Sequence, residues 1–75
     1  MKKIIFLSYD GILEPLGFSQ ILTYLIPLSE KNEIFIVSVE KINDLNNKGH
    51  YLKIKELLDM NNINWKFFIY KKNYL

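Results

Sequence analysis

Two short runs, Ile4-Ile5-Phe6-Leu7 and Ile34-Phe35-Ile36-Val37 followed by Val39, are apolar on both faces that a strand presents. Successive side chains in a strand point to opposite sides, so Ile4 and Phe6 oppose Ile5 and Leu7. Ile34 and Ile36 likewise oppose Phe35, Val37 and Val39. A strand that is apolar on both faces belongs in a sheet covered on both, which is the setting of parallel strands joined by helices. These runs therefore predict a first strand over Lys3 to Ser8 and a second over Glu33 to Val39, each with two covering layers.

Between the runs lies Ser8-Tyr9-Asp10-Gly11-Ile12-Leu13-Glu14-Pro15-Leu16-Gly17-Phe18-Ser19-Gln20, where Gly11, Pro15 and Gly17 break any regular period. Ser19 is a candidate N-cap for the helix that follows, since its hydroxyl can accept from a first-turn amide. Ile21, Leu25 and Leu28 share a helical face, with Leu22 and Ile26 beside them, a stripe broad enough to pack on a sheet. Pro27 removes a bond to the Thr23 carbonyl and costs about 3 kcal/mol in a helix interior, which predicts a kink or an early end. Asn32 suits a left-handed stop. In the second helix Asp44 is one candidate cap. Gly49 would cost about 1 kcal/mol relative to alanine there, so the regular part is expected from near Lys48. Tyr51, Ile54, Leu57 and Leu58 form its apolar stripe, Asn61-Asn62 ends it, and Trp65 to Tyr70 reads as a third strand.

The expected fold class is α/β: a Rossmann-like β-α-β-α-β unit with three parallel strands and right-handed crossovers. If each strand is added outward on the same side, both helices fall on one face of the sheet. The strands call for two covering layers and the helices supply one. Two expectations follow: residues 1–75 are one part of a larger α/β protein, or the chain dimerises through the bare face. A chain of 75 residues has room for one domain at most, and chains this small bury only about 60% of the surface the unfolded chain exposes.

Net charge is +2, with sequence pI near 8.9. Lys66, Lys71 and Lys72 gather near the C-terminus, as a solvated strand end or as a surface toward anionic lipid or phosphate. There are no cysteines, so no disulfide or thiolate metal site supplements the core, which fits a reducing compartment. Met1-Lys2-Lys3 precedes an apolar run, but the run ends at Ser8. It is shorter than the h-region of about 7–15 residues that a signal peptide needs, and far from the 20 or so of a membrane span. The expected location is cytoplasmic.

A strand, a glycine-containing turn and a helix form the place where α/β proteins commonly bind phosphates, because helix N-termini attract anions. Gly11 and Gly17 lack the G-x-G-x-x-G spacing, and no Gly-Lys-Ser/Thr is present, so dinucleotide and P-loop readings have no specific support. Spacing alone leaves the loop as either a structural turn or a ligand cradle. Asp10 could be an acid, a base, a metal ligand or simply a turn former. A phospho-receiver needs an aspartate after the third strand, where Ile69-Tyr70-Lys71 stands. His50, the single histidine, is expected as a solvated helix residue. Trp65, Phe67 and Phe68 are expected in the core, without the dense basic patch that nucleic-acid binding requires.

The run Lys3-Ile4-Ile5-Phe6-Leu7-Ser8-Tyr9-Asp10-Gly11, then Glu14-Pro15-Leu16-Gly17-Phe18-Ser19-Gln20-Ile21-Leu22-Thr23-Tyr24-Leu25, closely resembles the start of GT-B-fold glycosyltransferases of family 4. The likeness continues through Val37-Ser38-Val39-Glu40-Lys41, Ile63-Asn64-Trp65 and Tyr70-Lys71-Lys72, and so covers essentially the whole chain. Phe18 departs from it by replacing a usual glutamine; Pro27 interrupts the helix, and Asn32-Glu33 replaces a longer Gly-His turn. The resemblance implies an enzyme that moves a sugar from a nucleotide-diphosphate donor to an acceptor in a cleft between two Rossmann-like domains. Residues 1–75 would be an incomplete N-terminal domain, and the donor-holding carboxylates and basic residues would lie in a C-terminal domain outside it. Gly17, Ser19 and Gln20 would contact the donor diphosphate or the acceptor, with Tyr9 and Asp10 as further acceptor contacts. The catalytic residues stay unassigned; no metal and no cofactor are expected. The implied partners are a nucleotide-sugar and an acceptor, without nucleic acid, with the protein cytoplasmic or peripheral at the inner face of the membrane. The rival expectation is a non-catalytic interaction module that pairs through its bare sheet face.

Overall fold

The computed structural model describes residues 2–70, so Lys71 and Lys72 of the basic group lie outside the described residues, as do residues 1 and 73–75. Strands β1 (Lys2–Ser8), β2 (Asn32–Glu40) and β3 (Asn64–Ile69) form one parallel sheet in the order β1-β2-β3. Helical segments α1 (Pro15–Gln20), a π-helical turn (Ile21–Leu25), α2 (Ile26–Ser29), α3 (Ile42–Asn46) and α4 (Lys48–Met60) fill the two crossovers. This is the expected α/β arrangement, with strands added outward one at a time.

All helices that carry core residues pack on one face of the sheet. That face presents Ile34 and Ile36 from β2, which meet Ile12, Leu13, Ile21, Leu25, Ile54, Leu58 and Ile63 in a single buried cluster. Full burial of such aliphatic side chains is worth about 1.5–3 kcal/mol each, and it is what holds so small a unit together. Ser38 continues the buried face of β2, where its Oγ accepts from the Trp65 indole Nε1 at 2.8 Å. Tyr51, Trp65 and Phe67 stack at the edge of this layer, with ring centroids 5.0 to 6.0 Å apart. Phe68 is not with them. It is one residue out of phase and points to the other face, 55% exposed.

Among the described residues that other face is bare. Ile5 sits beside Phe35, Leu7 beside Val37, and Val39 beside Phe68, by the register of the sheet. Ile5 and Leu7 are 66% and 60% exposed. Among the described residues the two-faced pattern of the strands is thus met by one layer of helices.

The long crossover after β1 departs from expectation in four ways. The helix begins at Pro15, with Glu14 as its N-cap residue, so Ser19 is an exposed residue of its second turn rather than its cap. Proline suits this first position because its missing N–H would have no helical partner there. Pro27 neither ends nor breaks the helix: a π turn precedes it, closed by the Ile26 N–H bonding to the Ile21 carbonyl, and helical structure runs on to Ser29. The wider turn makes room for the proline ring and turns later side chains about 100° around the axis. Leu28 is consequently exposed, while Ile21 and Leu25 stay buried. Asn32 is not left-handed; it opens β2, and its side-chain amide caps the Leu28 carbonyl at 3.0 Å.

The second crossover follows the sequence closely. α4 starts at Lys48, and its cap is Asn47, whose Oδ1 accepts from the His50 amide, rather than Asp44. Asn62 has φ 56°, and the Ile63 and Asn62 amides bond back to the Leu58 and Asp59 carbonyls. This 6→1 and 5→2 pair is a Schellman stop, with Leu58 and Ile63 supplying its apolar contact.

One close contact fixes how α1 lies on the loop. A Cβ on Gly17 would stand 2.3 Å from the Gly11 carbonyl oxygen and 2.8 Å from the Ile12 Cα. Gly17→Ala is therefore expected to destabilise the fold by at least about 2 kcal/mol, since two backbones must separate to admit the methyl. Thermal unfolding of the variant checks this. The layers predict a second contrast: Ile36→Ala costs about 2–5 kcal/mol and Leu7→Thr changes stability by less than about 0.5 kcal/mol. Urea unfolding of both variants tests it.

Candidate functional site

The loop from Tyr9 to Glu14 leaves the carboxyl end of β1, crosses the end of β2 and enters α1. Its shape is imposed by Glu40, the last residue of β2. The alternation of β2 sends Ile34, Ile36, Ser38 and Glu40 to the helix side, all of them buried, and Glu40 has no exposed surface at all. Its Oε2 accepts from the Ile12 amide at 2.9 Å and its Oε1 from the Leu13 amide at 3.2 Å. Bonds of this charge-assisted kind are worth about 1.5–3 kcal/mol each, and they offset part of the cost of taking a carboxylate out of water.

Gly11 makes this approach fit. Its φ of +89° is a conformation that residues with a Cβ rarely adopt. A Cβ there would stand 2.7 Å from the Glu40 Oε1. Two further contacts hold the same segment. The Leu13 carbonyl is 2.9 Å from the His50 Nε2, and a carbonyl only accepts, so that nitrogen carries the proton. Beyond the loop, Lys41 forms an ion pair with Glu14. His50 is therefore not the solvated helix residue expected from sequence: it is partly buried, bonded to the loop, and meets the edge of Phe18 with ring centroids 6.2 Å apart.

Above this clamped segment is a pocket of about 270 Å³ at the carboxyl end of β1. Tyr9, Asp10, Gly17 and Gln20 all line it, together with Ser8 and Glu14. Four of the five residues anticipated as ligand contacts thus meet at one place, and Ser19 is not among the lining residues. Ser19 and Gln20 sit in the second turn of α1, where their amides bond within the helix. Gln20 offers its side chain only. The first-turn residues of α1 among the lining are Leu16 and Gly17. Gly17 has a packing role as well, since the loop backbone occupies the space a side chain would need.

The polar lining consists of the Asp10 and Glu14 carboxyls, the Gln20 amide and the Ser8 and Tyr9 hydroxyls, with no lysine, arginine or histidine among the lining residues. Lys41 pairs with Glu14, and Asp10 is the second carboxyl among the described lining residues. The arrangement can accept and donate hydrogen bonds to hydroxyl groups. Among the described lining residues there is no cationic side chain for a phosphate. Among the described residues no three or more His, Asp and Glu side chains converge to hold a metal, and no helix is long and apolar enough to cross a membrane.

Sequence reasoning missed Glu40 and His50 as organisers of the loop. A signal for Glu40 was present in the strand alternation, which places an acid on the face otherwise occupied by Ile34 and Ile36. Nothing local marks the bond from His50 to Leu13, whose partners lie 37 residues apart.

Fold and pocket together define an α/β unit with a pocket of mixed polar and apolar lining at the carboxyl end of its first strand. Comparison of the chain with family models, with curated proteins and with solved structures finds no match.

The Glu14 hydrogen bond and then its charge raise the Lys41 pKa above lysine's ordinary 10.5. A raised lysine pKa means that the pair's contribution is fully present below the unfolded value and is lost as pH climbs through the folded one. Glu14→Gln is expected to lower the Lys41 titration midpoint toward the ordinary value, measured by NMR of the lysine side chain. An unchanged midpoint would show that Glu14 is not the cause.

Proposed function

We propose that the chain forms one wall of a sugar-transfer site in a glycosyltransferase acting on a nucleotide-diphosphate sugar, and that its pocket receives the acceptor. The observation that carries this reading is the convergence of Tyr9, Asp10, Gly17 and Gln20 on one pocket at the carboxyl end of β1, where open α/β sheets bind ligands. The resemblance of the same loop to family 4 enzymes supports it from the sequence side.

Charge favours the acceptor among the two contacts that the resemblance allowed. A diphosphate is best held by cations, and the described lining residues include two carboxyls and no lysine, arginine or histidine. An acceptor hydroxyl needs an acceptor for its proton and neighbours that hold its ring. On this reading Asp10 takes that hydrogen bond, and in the transfer step the hydroxyl sheds its proton to such a group as it attacks the anomeric carbon. Tyr9, Ser8 and Gln20 orient the sugar. The donor and the stabilisation of its leaving diphosphate fall to a second Rossmann-like domain across the cleft. On this reading residues 1–75 by themselves catalyse no transfer, and the whole enzyme works in the cytoplasm, where it can lie peripherally against the inner face of the membrane.

The test is an NMR titration of the 75-residue chain with neutral mono- and disaccharides, and separately with UDP. Amide shifts at Tyr9, Asp10, Gly17 and Gln20 are expected with a saccharide, with an affinity on the order of 1 mM for so open a site. UDP is expected to leave them in place. Tight UDP binding at the same residues would favour a nucleotide-binding protein instead, and silence toward every saccharide would defeat the acceptor reading. Sugar transfer by the purified chain would overturn the division of labour.

A second reading draws on the exposed face of Ile5, Leu7 and Phe68: a non-catalytic module that pairs through its sheet. Light scattering separates the two. A discrete dimer that Leu7→Lys converts to monomer would support the module, and a concentration-independent monomer would remove it.

A further inference from the structure

We infer that Glu40 is the positioning residue of the pocket: without touching what the pocket holds, it sets the turn at Gly11 and thereby the aim of Tyr9 and Asp10. The inference deepens the acceptor reading, on which its ligand arm rests, while its first readout needs no ligand.

The sheet has no use for an acid at this position. Glu40 follows Ile34, Ile36 and Ser38 on the buried face of β2, and any aliphatic side chain would serve the core there. The loop does have a use for it. The amides of Ile12 and Leu13 both point into the protein, and the two Glu40 oxygens are their partners. An aliphatic residue would leave both amides buried and unpaired. The neighbouring Lys41 is engaged with Glu14, so the carboxylate is committed to the backbone of the loop.

Gly11 shows the same commitment from the other side. The place its Cβ would take is filled by the Glu40 Oε1, and its φ of +89° is the bend that brings both following amides onto one carboxylate. Ile12, Leu13 and Glu14 are thus clasped in succession by Glu40, His50 and Lys41. Asp10 and Tyr9, immediately before the clasp, stay exposed with Tyr9 at 82%. A loop anchored beneath and open above presents its side chains to a ligand without closing on it.

The experiment is amide hydrogen exchange, read by NMR, on the full 75-residue chain and on Glu40→Gln. Glutamine keeps the shape but replaces one acceptor with a donor. In the unaltered chain the Ile12 and Leu13 amides are expected to be protected like those of Ile54 and Leu58 in α4. In Glu40→Gln at least one of the two should exchange roughly tenfold faster or more, while Ile36 and Ile54 stay within about twofold. Saccharide-induced shifts at Tyr9 and Asp10 should weaken several-fold. Uniform acceleration across the chain would reduce Glu40 to a general stabiliser and overturn the inference. So would unprotected Ile12 and Leu13 amides in the unaltered chain, a measurement that stands even if the variant does not fold. His50→Ala supplies a further control: both amides should remain protected, and their loss would transfer the positioning role to His50. A chain that binds no saccharide but passes the exchange test counts against the acceptor reading and leaves the Glu40 assignment in place.

Discussion

The bond between the Glu40 carboxylate and the amides of Ile12 and Leu13 is the constraint on which the rest of the site depends. It ties the end of β2 to the loop leaving β1, across 27 and 28 residues of chain. Once those amides are held, Gly11 must take its positive φ, and the loop backbone comes to lie where α1 can cross it only at a glycine. Gly11, Gly17 and Glu40 are therefore one device. Its product is a helix seated close against the loop, with a pocket between that helix and the strand end.

A different constraint governs the sheet. Parallel strands apolar on both faces are at home between two layers of helices, and the described residues place one layer on the side of Ile34 and Ile36. The opposite side, from Ile5 through Val37 to Phe68, faces solvent. On the acceptor reading this face awaits further layers of the same enzyme, and on the module reading a second copy. The pocket lies at the carboxyl edge of the sheet, between the end of β1 and α1.

Much of the architecture was legible because it rests on local periodicity. The alternation in Ile4–Leu7 and Ile34–Val39, the stripe of Tyr51, Ile54 and Leu58, and the Asn61-Asn62 stop each carry their own pattern, and the structure follows them. The first crossover was less legible. Ser19 resembles a cap in sequence, yet Pro15 takes the helix start, where its missing N–H needs no helical partner. Pro27 called for a kink or an early end, and a single wide turn ahead of it accommodates it while helical structure runs on to Ser29. Of the anticipated contacts, Tyr9, Asp10, Gly17 and Gln20 share the pocket because they flank the same turn in sequence; Ser19 falls outside it once the helix phase is known.

By itself, then, the sequence determined the elements, their parallel order and the loop around which a site forms, since each follows from spacing among near neighbours. Only the tertiary structure decided which residues hold that loop. Glu40, His50 and Lys41 lie 27 or more residues from the atoms they bind. Their partners are backbone amides, a carbonyl and a flexible side chain, which leave no periodic trace. A hydrogen bond is made by position in space, and position here was set by packing Ile12, Ile21, Ile36 and Ile54 into one core.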